Sequence, residues 1–411
     1  MLSDWLMYST NEFLSCQSCK IGVRISINFR RIRDIRDITA EIIYLDDSAF
    51  LSTENIKMRR FSVYRKHQNT NVGYKMSEDD MQATLPFPAE RPLPYVKYSG
   101  EPEFSADRHL DLGQPKKTLS LKDLGYSDNQ IANCPSIFGV SSAFKILSDE
   151  GLAIMREICL KMYDNRNESV GTGVNRLGSY CRGAGYRSSF IRSFCDSPEL
   201  AEHLSKIADV TLARHSVPAV ACGVNYAPED IRNAVDTWHT DSVAFDIVMM
   251  LSDPGKIEGG EFQYFHGTKE EGQDILGISG EEGKDAELPT ERVTTIPFPA
   301  AGYGFLQQGN MIFHRACRLH KKAERMTMIP SFVVTPETAN DATNSVNMAG
   351  WDDPCITAEL TRHEAWRASA RLKQLVENVS LHDDDSKLVN DIDKALGSLM
   401  AFRNRLKEKS N

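Results

Sequence analysis

Between residues 148 and 210 apolar side chains recur every three or four positions. Leu152, Met155, Ile158, Cys159 and Met162 share one face of a helix that opens at Ser148. Ser197-Pro198-Glu199 opens a second helix, with Leu200, Leu204 and Ile207 inward. The stretch 164–196 between them carries Gly171, Gly173, Gly178, Gly183 and Gly185 among Arg176, Arg182 and Arg187. It lacks the strand-then-helix context of a dinucleotide loop and is expected as a long plain loop, with a mobile cover over a pocket as the alternative.

From 216 to 335 the pattern changes. The runs 217–226, 237–251, 260–265, 302–313 and 325–334 are apolar or alternating, separated by Gly, Pro and charged turns. Short strands in succession, without helices between them, predict an all-β sandwich or barrel. Helical text then returns: Leu372 and Leu375, followed by Leu388, Ile392, Leu396 and Leu399, mark two amphipathic segments expected on the outside of the sheet. The chain is therefore expected to be α+β, with a poorly defined N-terminal extension over 1–95, a β domain with preceding helices over 96–355, and C-terminal helices over 356–411.

Composition narrows the class. With 411 residues, 41% of them hydrophobic, the chain can bury a substantial core. A net charge of -9 argues against nucleic acid as partner, and the basic run 30–36 reads as a solvated face. A small-molecule partner is expected instead; oligomeric state stays open. The opening residues carry no basic, then apolar, leader and no membrane span is evident, so a cytoplasmic protein is expected. The nine cysteines are mostly scattered, and the C-x-x-C of Cys16 and Cys19 has no second pair with which to hold zinc.

Candidate chemistry centres on H-x-D. Two histidines and a carboxylate on one side of a metal leave neighbouring positions open for oxygen chemistry. On a strand, residues i and i+2 share a face, so His239 and Asp241 can converge on one ion. The same motif occurs at His109/Asp111 and His382/Asp384, but His109 runs into a Gly-Gln-Pro turn and His382 lies in an acidic run. Only His239 opens a long apolar run, through Val243, Phe245, Ile247, Met249 and Leu251. For the third ligand both His314 and His320 are available; Lys321 and Lys322 beside His320 would repel a cation, which favours His314. Arg325 follows His314 by 11 residues. An arginine fork suits the distal carboxylate of a keto-diacid chelated to iron, and Thr327, two residues on, shares its face. Arg182 and Arg187 are weaker candidates for a substrate carboxylate.

In this order His239-x-Asp241, the Gly259-Gly260-Glu261-Phe262 turn, His314 and Arg325-x-Thr327 resemble the iron(II)- and 2-oxoglutarate-dependent dioxygenases of the double-stranded β-helix, or jelly-roll, fold. His314-Arg-Ala-Cys317-Arg-Leu319 is similar to the segment around the distal histidine of prolyl-hydroxylase-like members. The likeness spans roughly residues 140–335, and in texture is nearest to fungal members of secondary metabolism that oxidise amino acids. It implies a jelly-roll core with flanking helices and a C-terminal helical tail. It further implies iron(II) on His239, Asp241 and His314, and 2-oxoglutarate and O2 as co-substrates. Arg325 and Thr327 would bind the co-substrate, with Asn225 and Tyr226 of the preceding strand beside it. The implied reaction is hydroxylation, desaturation or oxidative cyclisation at an unactivated C–H bond. A metal-dependent jelly-roll enzyme that does not use 2-oxoglutarate, or a non-catalytic jelly-roll binding protein, would share much of this pattern.

Overall fold

The computed structural model describes residues 97–168, 177–279, 283–351 and 353–410, and the backbone of three strands nearer the N-terminus. The chain divides into two units, Met1–Tyr74 and Lys75–Asn411. In the first, Asn11–Cys16, Ile21–Ser26 and Ile42–Tyr44 form an antiparallel sheet in that order. Cys19 and the run 30–36 lie outside the described residues, and of Cys16 only the strand backbone is described.

The second unit combines helices with two antiparallel sheets. Among the described residues the larger has ten strands. Its centre runs Tyr303–Gln307, Phe245–Met250, Met326–Val334, Cys222–Tyr226, Ser179–Cys181. The smaller has four strands, ordered Asp236–His239, His314–Ala316, Phe262–Phe265, Val293–Ile296.

Both faces of the larger sheet are covered, which is why its central strands read as continuous apolar runs. One set of alternate residues, Phe245, Ile247, Met249, Met326, Met328, Val224 and Tyr226, packs with Met155, Phe190, Phe194 and Leu200 from the helices. Each such side chain contributes roughly 1.5–3 kcal/mol when fully buried. The opposite set, including Val248 and Phe305, packs with Phe262 and Tyr264 of the smaller sheet. The helices expected from the 3.6-residue period are Asp149–Tyr163 and Pro198–Ala208, capped by the Ser148 and Ser197 hydroxyls. The glycine-rich stretch is less plain than expected. It contains the strand Ser179–Cys181 and the helices Ala184–Arg187 and Ser189–Cys195, with Gly183 at φ +65° between them.

Two expected long strands are each broken in two. The run 237–251 leaves the smaller sheet after His239 and enters the larger at Phe245, and the run 302–313 leaves the larger after Gln307 and enters the smaller at His314. These crossings are neighbours. His239 pairs with His314 on the smaller-sheet side and Asp246 with Gln307 on the larger-sheet side. The C-terminal helices Ile356–Asn378 and Asp385–Ser410 pack through Ile356, Leu360 and Phe402 on Val217, Val220, Val243 and Met348. No helix among the described residues is long and apolar enough to cross a membrane.

Candidate metal centre

The space between the two crossings is lined by His239, Asp241 and His314. Their potential ligand atoms lie within 4.8 Å of one another, and among the described residues they form the one such group of histidine, cysteine and carboxylate side chains. Asp241 Oδ1 lies 3.3 Å from His239 Nε2 and Oδ2 lies 3.4 Å from His314 Nε2. Each imidazole is oriented through its other nitrogen: His239 Nδ1 is 2.6 Å from the Thr237 carbonyl and His314 Nδ1 is 2.8 Å from the Ile312 carbonyl. A carbonyl can only accept, so both Nδ1 atoms carry the proton. Both Nε2 lone pairs are thereby directed to the centre, the arrangement usual for metal-binding histidines.

Asp241 itself lies two residues beyond the end of the strand that carries His239, in the crossing, and not on the strand as the period-two argument required. Its position is set by its N–H, which donates to the Gly309 carbonyl at 3.0 Å. A Cβ at Gly309 would collide with Oδ2 of both Asp241 and Asp246, so the close approach of the two crossings depends on that glycine. Gln307 Nε2 donates to Asp241 Oδ2 at 3.1 Å and to Asp246 Oδ1 at 3.0 Å. Burial pushes the Asp246 carboxyl well above its ordinary range, and the neighbouring Asp241 raises it further. Asp236 Oδ2 is 3.5 Å from His239 Nε2.

A cavity of ≈ 50 Å³ extends from these residues to Arg325, Thr327 and Asn225, walled by Val248, Phe262, Ala316 and Ile329. Arg325 is only 2% exposed. Its Nε donates to the Gly260 carbonyl at 2.9 Å and its Nη1 approaches Thr327 Oγ1 at 3.5 Å, while no carboxylate pairs with it among the described residues. Burial pulls its pKa down to about 10. Gly259 and Gly260 have φ of +83° and +70°, and a Cβ on Gly260 would stand 2.9 Å from Arg325 Cδ; the Gly-Gly turn therefore makes the seat of the guanidinium.

The remaining expected residues separate by parity. Asn225 is the register partner of Thr327 and lines the cavity. Tyr226 does not. It points to the opposite face, donates its hydroxyl to the Cys159 carbonyl at 2.7 Å and meets the Tyr163 ring edge-on, so it is a core residue of the helical side. His320 is exposed on the far side of the smaller sheet. His109 is buried against Phe104 and Phe190, with its Nδ1 accepting from the Ser105 N–H, and His382 is exposed. Arg182 stacks on Tyr180 and Trp351, and neither it nor Arg187 lines the cavity. Asp246, Gln307 and Gly309 were not singled out by the sequence. Their signal is a polar or minimal residue in an otherwise apolar run.

No protein-family model matches the chain, and no curated protein matches it. Several solved structures align over about half of it. The non-haem α-ketoglutarate-dependent epimerase SnoN from nogalamycin biosynthesis is 16% identical, with 50% of this chain and 82% of that chain covered and a TM-score of 0.35. The carbocyclase SnoK from the same biosynthesis is 14% identical, with 54% and 89% covered and a TM-score of 0.35. EvdO2 from Micromonospora carbonacea var. aurantiaca is 14% identical, with 54% and 94% covered and a TM-score of 0.31. Overlaps at these scores carry no argument about chemistry, which has to come from the residues themselves.

Proposed function

We propose that this chain is an iron(II)- and 2-oxoglutarate-dependent oxygenase that oxidises a C–H bond of a small molecule, on a core of the double-stranded β-helix type. The observation that carries the reading is that Arg325, buried and without a carboxylate partner among the described residues, opens on the same cavity as His239, Asp241 and His314. Keeping an unpaired guanidinium in such a place is costly unless an anion joins it. A keto-diacid with one end on the metal and the other on Arg325 meets that requirement.

The donor set fits the metal. Two neutral imidazoles and one carboxylate suit a ferrous ion with open positions. When bound, iron(II) with 2-oxoglutarate and O2 supplies the oxidising power, and the co-substrate leaves as succinate and CO2. The protein's part is placement. His239, Asp241 and His314 hold the ion; Arg325 and Thr327 hold the distal carboxylate, with Asn225 beside them. Val248, Phe262 and Ile329 keep water from the reacting centre. The cavity of ≈ 50 Å³ has room for only one or two waters, so binding the diacid requires its walls to move apart.

The test is an anaerobic titration of the iron(II)-loaded chain with 2-oxoglutarate, read by visible absorption. A charge-transfer band saturating with 2-oxoglutarate is expected. Iron(II) binding with no band would leave a metal enzyme that does not use this co-substrate, and no iron binding at all would remove the enzyme reading.

A further inference from the structure

We propose that the pocket on the outer side of Asp241 binds a small carboxylic acid, with Lys269 as the residue that takes its carboxylate. The pocket has a volume of ≈ 430 Å³ and a polar wall that includes Thr240, Lys269, Gln273 and Asn310 together with the loop 341–344. Asp241 belongs both to this pocket and to the inner cavity, so an occupant lies directly beside the metal position.

The charges on the wall are three. Asp241 is a ligand. Asp341 is fully engaged, its Oδ2 with His363 at 2.7 Å and Arg367 at 3.1 Å, and its Oδ1 accepting from the Thr343 N–H at 3.2 Å and hydroxyl at 2.9 Å. Lys269 is the cation, and among the described residues it has no ion pair. Its Nζ donates to the Asn310 carbonyl at 3.1 Å and lies 3.7 Å from Met311 Sδ. An ammonium has three donors, and one held half-buried on a neutral carbonyl gains most from an anionic oxygen.

Its place is also fixed from both sides. Lys269 begins the helix Lys269–Leu276, whose capping box joins Thr268 and Glu271, and its N–H donates to the Tyr126 hydroxyl at 2.8 Å. Asn310 directly follows Gly309, whose carbonyl receives the Asp241 N–H. One turn therefore locates both the ligand carboxylate and the ammonium, so an acid seated on Lys269 has its carbon skeleton held at a set distance from the metal position.

This inference rests on the oxygenase reading only for the fate of the bound acid, not for its binding. The experiment is saturation-transfer NMR on the full chain without added metal. The panel is short carboxylic acids, amino acids and 2-oxoglutarate included, each beside its primary amide. At least one acid other than 2-oxoglutarate is expected to bind, about ten-fold or more tighter than its amide. Lys269→Met should weaken that acid by a similar factor without changing the amide, and Lys269→Arg should retain part of the affinity. The proposal is overturned if acid and amide bind alike, if Lys269→Met binds the acid as the wild type does, if no acid binds, or if 2-oxoglutarate is the one acid that depends on Lys269. The iron titration of the wild type judges the oxygenase reading separately.

Discussion

His239 and His314 are direct register partners on adjacent antiparallel strands, their ring centroids 4.1 Å apart and both Nε2 atoms turned to Asp241. Paired positions on neighbouring strands hold side chains about 5 Å apart without any loop to order. Two ligands are thus set by sheet register alone, and the third by the crossing. Metal affinity should follow that division. His239→Ala and His314→Ala are each expected to weaken iron(II) or cobalt(II) binding by about 100-fold or more, beyond what loss of an outer hydrogen bond does. His320→Ala should bind as the wild type. Calorimetric titration separates these, and equal losses for His314→Ala and His320→Ala would reject the assignment.

Gln307 and Gly309 act on the third ligand from beside the metal position, Gln307 Nε2 also lying 3.5 Å from His314 Nε2. Gln307→Leu removes the donor shared by Asp241 and Asp246, leaving Asp241 to the Asp246 carboxyl and to its backbone bond with Gly309. Metal affinity is expected to fall about 10–100-fold with the fold retained. Gly309→Ala forces Asp241 aside by collision and should abolish tight binding. Circular dichroism with metal titration checks both, and a Gln307→Leu protein of unchanged affinity would show that the backbone bond from Asp241 to Gly309 is sufficient.

Arg325→Met gives opposite outcomes for stability and for co-substrate response. A buried guanidinium that no carboxylate pairs with among the described residues weakens the fold, and a methionine of similar length fills its place without that penalty. Unfolding free energy without co-substrate is expected to rise by about 1–2 kcal/mol. With iron(II) under argon, 2-oxoglutarate at about 100 times Kd should stabilise the wild type by about 2.7 kcal/mol and the variant by none. Denaturant unfolding with and without 2-oxoglutarate measures all four states. A variant still stabilised by 2-oxoglutarate would remove Arg325 as its anchor.

These assignments were only partly legible in the sequence. His239, Asp241, His314 and Arg325 were reachable because each stands at the edge of an apolar run, where a polar residue has a reason to be. The broken strands were not. When both faces of a strand are buried, apolar residues continue through the crossing and the pattern carries no mark of the change of sheet. Asp246 and Gln307 lie inside those runs and were read as part of them, although a carboxylate and an amide among buried neighbours must have partners. Tyr226 shows the opposite error. One residue separates it from Asn225, and on a strand one residue is the other face. Lys269 lies in the long insertion 267–297, where Thr268-x-x-Glu271 carries the capping-box signature of a helix start.

The C-terminal helix that supports the outer pocket introduces a pH dependence of its own. Glu359 accepts from the Tyr186 hydroxyl at 2.6 Å and from the Ala219 N–H at 2.8 Å. Burial nevertheless raises its pKa from 4.5 to about 7. In the unfolded chain Glu359 ionises near its ordinary value, whereas in the folded protein it keeps its proton to higher pH. The folded state therefore binds more protons between the two values, and stability from this group falls as pH rises from about 4.5 to about 7, then levels. The size is on the order of 3 kcal/mol. Glu359→Gln has no such titration, so its stability relative to the wild type should improve by that amount between pH 4.5 and 7.5. Urea unfolding at half-unit pH steps measures the difference, and parallel profiles for the two proteins would show that Tyr186 and Ala219 hold the carboxylate ionised throughout.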